Sequence, residues 1–178
     1  MNYFDVFGLP KLLNIDLKAL VRTFHELSRK HHPDYFTTAA PEERQKALHM
    51  TAALNDAYRT LRHPVRRVEY LVTLEGFKPD GSKVPRSFLM EVFEINEQLE
   101  DVKAGRATPE QVAALRREIE GRAAHFESQM EAAALDWDKL AASCAPETQL
   151  RQQLTKLTEI LSESSYIRNL ERDLEEKS

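Results

Sequence analysis

The chain has 178 residues, a formal net charge of −4, 5 Gly and a single Cys. This acidic balance speaks against a general nucleic-acid binder, which needs a concentrated basic surface to neutralise phosphates, and the lone Cys144 excludes an internal disulfide or a metal cluster held by cysteines of this chain alone. No apolar run approaches the roughly 18 residues that span a bilayer, and no basic segment followed by an apolar one opens the chain, so a soluble cytoplasmic protein is expected. Abundant Ala, Leu, Glu, Arg and Gln with few Gly predict an all-α fold.

Asp16 is placed to cap a helix in which Leu17, Leu20, Val21, Phe24, Leu27 and Ser28 fall in one stripe, the face expected to be buried. Beside it Lys18, Arg22, His25 and Arg29 form a basic flank. Pro33 disfavours helix at the residue before it, so the chain leaves the helix at His32. The tripeptide His32, Pro33, Asp34 then exposes an imidazole and a carboxylate at a bend. Pro41, Glu42 and Glu43 read as the first turn of the next helix, with Thr38 or Ala40 near its cap. Its stripe is Ala47, Met50 or Thr51, Leu54, Tyr58 and Leu61. Together the two helices predict an antiparallel hairpin about 20 Å long. A metal site on His25, His31, His32 and Asp34 is conceivable, but adjacent His31 and His32 would point to different sides and no second ligand cluster follows, so no metal is expected.

Pro64 opens a short helix with Val65, Val68, Leu71 and Leu74 at helical spacing and Arg62, Arg66 and Arg67 outside. Gly76, Pro79, Gly81, Ser82 and Pro85 then mark a boundary. The expected organisation is a first domain over 1–75, a linker over 76–86 and a helical bundle over 87–178. The first bundle helix runs from Ser87 to Lys103 or Ala104 and stops at Gly105. The second opens on a capping box, with Thr108 as cap, Pro109 in the first position and Gln111 answering it. It continues toward Leu140, with Trp137 a candidate interruption. Pro146 and Glu147 open the third, which carries Leu150, Leu154, Leu157, Leu161, Ile167, Leu170 and Leu174. Short connections predict antiparallel neighbours and a three-helix bundle.

On the 87–103 helix, Phe88, Val92, Ile95, Leu99 and Val102 account for a core face. Leu89, Met90 and Phe93 lie on the far side, in a sector shared with Glu97 and Glu100 and edged by Glu94 and Asp101. An apolar patch framed by charge has the composition of a protein-binding face. The competing reading is that another helix covers it.

Residues 1 to about 75 resemble a J-domain, the module by which co-chaperones engage seventy-kilodalton heat-shock chaperones. The resemblance is carried by Asn2, Tyr3, Phe4, Phe7, Gly8, Leu9 and Pro10, by the tripeptide at 32–34, and by Leu54, Asn55, Asp56, Ala57, Tyr58 and Leu61. Tyr35 departs from the Lys or Arg found there in many J-domains. The whole chain, through Arg66, Arg67, Glu69, Tyr70, Leu71 and Phe88, Leu89, Met90, Glu91, resembles the HscB-type co-chaperones of iron–sulfur cluster assembly. That resemblance implies a J-domain joined in an L shape to a C-terminal three-helix bundle. It implies docking on an HscA-type chaperone through His32, Pro33, Asp34 and the flank Lys18, Arg22, His25 and Arg29. It further implies binding of an IscU-type scaffold through Leu89, Met90, Phe93, Glu94, Glu97, Asp101 and Tyr166, where Phe93 replaces a smaller aliphatic and Asp101 a Glu of relatives. The absence of paired cysteines ahead of the J-domain is similar to bacterial rather than mitochondrial members. No catalytic residues and no cofactor of its own are expected, any cluster belonging to the partner. Two other classes stay open: a general J-protein holding unfolded clients on the Leu89, Met90, Phe93 face, and a metal-dependent hydrolase around the histidines.

Overall fold

The computed structural model describes residues 2–79 and 84–176; Gly81 and Ser82 of the expected boundary lie outside them. Among the described residues the chain is helical without strands. In order come α1 (Tyr3–Val6), α2 (Leu17–Lys30), a 3-10 turn (Pro33–Phe36), α3 (Pro41–Leu61), α4 (Pro64–Leu74), α5 (Arg86–Lys103), α6 (Pro109–Ala142) and α7 (Glu147–Glu175).

Local chemistry sets the helix starts. Asn2 and Asp5 form a reciprocal capping box on α1, and Thr108 and Gln111 form the one expected on α6. Asp16 accepts from the backbone N–H groups of Lys18 and Ala19 at 2.9 and 3.1 Å, which holds its carboxyl below the ordinary range. Pro41, Pro64 and Pro109 occupy first helical positions, where their missing N–H costs nothing. Gly105, at φ 68°, takes the left-handed conformation that ends α5.

The hairpin of α2 and α3 is closed by Phe24 stacked on Tyr58, ring centroids 4.1 Å apart. Buried Leu20, Leu54, Ala57 and Leu61 pack with Phe4 of α1 in the same core. Tyr3 stacks on Tyr70 of α4, and its N–H donates to the Tyr70 hydroxyl at 2.9 Å. The α2 stripe is narrower than its spacing predicts. Leu20 is buried and Phe24, Leu27 and Ser28 are half-buried, but Leu17 and Val21 are exposed. The reason is that α2 packs chiefly on α3, and one neighbour covers a limited arc of a helix.

On α4 the expectation that Arg67 points outward is overturned. Because α4 packs against both α3 and α7, its buried arc takes in Arg67 and Val72, while Leu74 is exposed. The Arg67 Nη1 donates to the Leu61 carbonyl, burial pushes its guanidinium below the ordinary range, and the charge of Asp138 opposes that shift.

Helices α5, α6 and α7 form the bundle, α7 lying along α6 and against α5. Phe88, Val92, Ile95 and Leu99 of α5 are buried as predicted. Helix α6 is unbroken over 34 residues, so Trp137 does not interrupt it; the ring is buried in the shared core. Cys144 adopts φ 51° in the tight turn between α6 and α7, with its thiol exposed. The buried side chains of hairpin and bundle form one contiguous cluster. No helix among the described residues is long and apolar enough to cross a membrane.

Candidate functional site

Two surfaces carry the residues singled out in the sequence. The first is the hairpin tip. Helix α2 ends on His31, whose carbonyl accepts from the Thr51 hydroxyl of α3 at 3.0 Å, anchoring the loop to the second helix. His32 turns to extended backbone, as Pro33 requires, and caps the 3-10 turn: its Nδ1 accepts from the Asp34 N–H at 3.3 Å. That nitrogen also lies 3.5 Å from the Asp34 carboxylate. A single ring nitrogen cannot accept and donate at once, so the Asp34 N–H and the Asp34 carboxylate compete for the same atom. The Tyr35 N–H donates to the His32 carbonyl at 3.1 Å, and the Thr37 hydroxyl donates to the Asp34 carbonyl at 3.2 Å. These bonds fix the backbone and leave the Asp34 side chain 82% exposed. Tyr35, also exposed, sets its ring edge-on to His32.

Lys18, Arg22, His25 and Arg29 are all exposed along α2, and no salt bridge engages any of them among the described residues. The tip and the flank thus form one polar surface with a rigid backbone. No group of three or more His, Cys, Asp or Glu side chains among the described residues could hold a metal ion.

The second surface is the outer face of α5. Leu89, Met90 and Phe93 are exposed by 41%, 61% and 63%, so the reading in which another helix covers them does not hold. Glu94 and Glu97 beside them are exposed and make no salt bridge among the described residues. Glu100 pairs with Lys103 at 3.0 Å, and Asp101 accepts from Arg106 at 2.6 and 2.9 Å. Glu94 and Glu97 are therefore the open acids, while a basic partner at Asp101 must compete with Arg106. Tyr166 of α7 is half-buried and meets Phe88, at the start of α5, edge-on at 6.1 Å. On the opposite flank of α5 a cleft of about 560 Å³ is lined by Phe88, Glu91, Arg122, Phe126 and Glu163. There Arg122 bridges Glu91 and Glu118, and burial, aided by Glu159 and Glu91, pushes the Glu163 carboxyl up.

An elbow joins the two surfaces, and the sequence reading missed it. The Asp138 carboxylate accepts from the backbone N–H groups of Leu13 and Asn14 at 2.6 and 2.7 Å, just ahead of α2. One residue earlier, the Trp137 indole donates to the Lys11 carbonyl at 2.9 Å. Lys11 pairs with Glu75 at 2.7 Å, and Arg151 of α7 stacks over Phe77. The available signal was the aromatic–acid pair itself within an Ala-rich stretch of α6, but its partners lie 125 residues upstream.

A helical hairpin bearing His-Pro-Asp at its turn, fused to a helical bundle, defines a J-domain protein with an appended C-terminal domain. The model of the HSCB C-terminal oligomerisation domain matches residues 84–175. A co-chaperone protein HscB homolog of Vibrio cholerae is 35% identical over 146 residues, covering 80% of this chain and 85% of that protein. A homolog of the same description from Vibrio campbellii is 40% identical over 113 residues, covering 62% and 66%. The solved chaperone HscB from Vibrio cholerae superposes with a TM-score of 0.63 at 32% identity over 99% of this chain and 96% of its own. Human co-chaperone HscB shares the fold at a TM-score of 0.72 and 23% identity, over 99% and 82%. The chain belongs to the HscB family of co-chaperones.

Proposed function

We propose that the protein is a two-ended adaptor that stimulates the ATPase of an HscA-type chaperone and delivers to it an IscU-type iron–sulfur scaffold. The observation that carries this reading is the uncovered apolar face of α5, Leu89, Met90 and Phe93, with open acids Glu94 and Glu97 at its rim, on a different domain from the His-Pro-Asp tip. Apolar anchors with a charged rim suit a folded partner bearing a basic, partly apolar surface.

At the other end, Asp34 presents its carboxylate to an arginine of the chaperone, and Lys18, Arg22, His25 and Arg29 meet an acidic region of its ATPase domain. Charge complementarity speeds and orients that encounter, so it weakens as salt rises. Holding both partners at once raises the effective concentration of scaffold at the chaperone. The adaptor itself makes and breaks no covalent bond. Residues 1–75 act as the J-domain and 87–178 as the scaffold-binding bundle.

Single-turnover ATP hydrolysis by the chaperone, with the protein alone and then with scaffold, tests the proposal. Stimulation that rises synergistically with scaffold is the expected result. Stimulation indifferent to scaffold supports a general J-protein instead, and no stimulation overturns the reading.

A further inference from the structure

The basic flank is not the whole of the exposed surface of α2. Leu17 and Val21 are 45% and 36% exposed although they fall within the helix's apolar stripe. Isolated exposed apolar residues are ordinary, but these two are in register with the flank. At a spacing of four, Leu17, Val21, His25 and Arg29 form a single row along the helix, and Lys18 and Arg22 form the adjoining one. The first row is apolar at the α2 start and basic toward the His-Pro-Asp tip. Its apolar half stays exposed beside Lys18, which stands three residues before Val21 on the neighbouring row.

We infer that Leu17 and Val21 are an apolar seam of the chaperone-docking surface, so that the occupant of α2 is an acidic protein face edged by an apolar strip. This rests on the docking role proposed above for Asp34 and the flank. Continuity argues for that occupant: at about 100° per residue Val21 lies roughly 40° from His25 and roughly 60° from Lys18, and Leu17 about a further 40° along the same side, so the apolar pair extends one edge of the basic flank. The two components then act at different stages. Long-range attraction by the flank sets the association rate, whereas burial of Leu17 and Val21 occurs only after contact and slows dissociation.

The test is stopped-flow or surface-based kinetics of the full-length protein with the ATP-bound chaperone at two salt concentrations. The double variant Leu17→Gln/Val21→Gln is the suitable probe. Both sites are exposed, and Gln favours helix at least as well as Val, so α2 persists and circular dichroism verifies it. The expected result is a dissociation rate raised about tenfold, with an association rate and salt dependence within about twofold of the native protein. Lys18→Ala/Arg22→Ala should show the reverse, slower association and a flatter salt dependence. A native dissociation rate for the glutamine variant overturns the seam. Asp34→Asn, run in parallel, separates the two ideas: if it loses stimulation while the glutamine variant binds normally, only the seam fails, and if it keeps stimulation, the docking role fails with it.

Discussion

Helices α2 and α5 each bury one stripe and present another, and what they present is opposite in kind. Along α2 the free face is the basic flank of Lys18, Arg22, His25 and Arg29, with Leu17 and Val21 along one edge toward the helix start. Along α5 it is Leu89, Met90 and Phe93, with Glu94 and Glu97 as an acidic rim. The first is mainly electrostatic and acts at a distance; the second is mainly apolar and acts on contact. A transient, salt-sensitive partner therefore suits α2, and a longer-lived one suits α5. The opposite signs suit the two ends to partners of opposite charge.

The comparison breaks most sharply at the tip. Asp34→Asn is expected to abolish ATPase stimulation while scaffold affinity stays native, because the side chain is exposed and its loss leaves the turn intact. Loss of both activities, or of neither, would contradict two independent ends. The converse change, Leu89→Ala with Phe93→Ala, should weaken scaffold binding by about 2 kcal/mol or more, as for buried interface anchors. Calorimetry measures it, and stimulation by the protein alone should not move.

Asp138→Ala tests whether the ends are held in register. It deletes the acceptor of the Leu13 and Asn14 amides, and thermal unfolding should show a loss of about 2 kcal/mol, as for hydrogen bonds to a charged group. Synergy between scaffold and stimulation should fall while each separate activity holds.

The smallest effect concerns neither face. The raised Glu163 carboxyl means that the folded chain holds this proton more tightly than the unfolded chain. Stability from this group is therefore complete below the unfolded value and falls as pH rises through the folded one. Glu163→Gln should raise the melting temperature at neutral pH by roughly 1–2 °C, the gain vanishing below about pH 4. Both binding activities should be unchanged, which a scan across pH and two binding assays would check.

Much of this architecture was legible where chemistry is local. The prolines at 41, 64 and 109 and the Thr108–Gln111 box mark helix starts that depend on residues within one turn. The face of α5 was legible because a core stripe explains one side of that helix and leaves Leu89, Met90 and Phe93 over. What stayed hidden was set by distant neighbours. Arg67 reads as a surface cation until α7 covers α4 and the Leu61 carbonyl turns toward it. Leu17 and Val21 read as core because spacing cannot say how many helices lie against α2. Trp137 reads as a break because its acceptor, the Lys11 carbonyl, belongs to the other end of the chain.

Helix α6 begins at the cap beside the last turn of α5 and carries Trp137 and Asp138 to the elbow without interruption. It is thus a ruler with a phase as well as a length, each residue adding about 1.5 Å and 100°. One residue inserted between Phe126 and Trp137 would swing the indole and the carboxylate a quarter-turn away from Lys11, Leu13 and Asn14. Variation in length is tolerable in the turns, while along this rod the number of residues is itself under constraint.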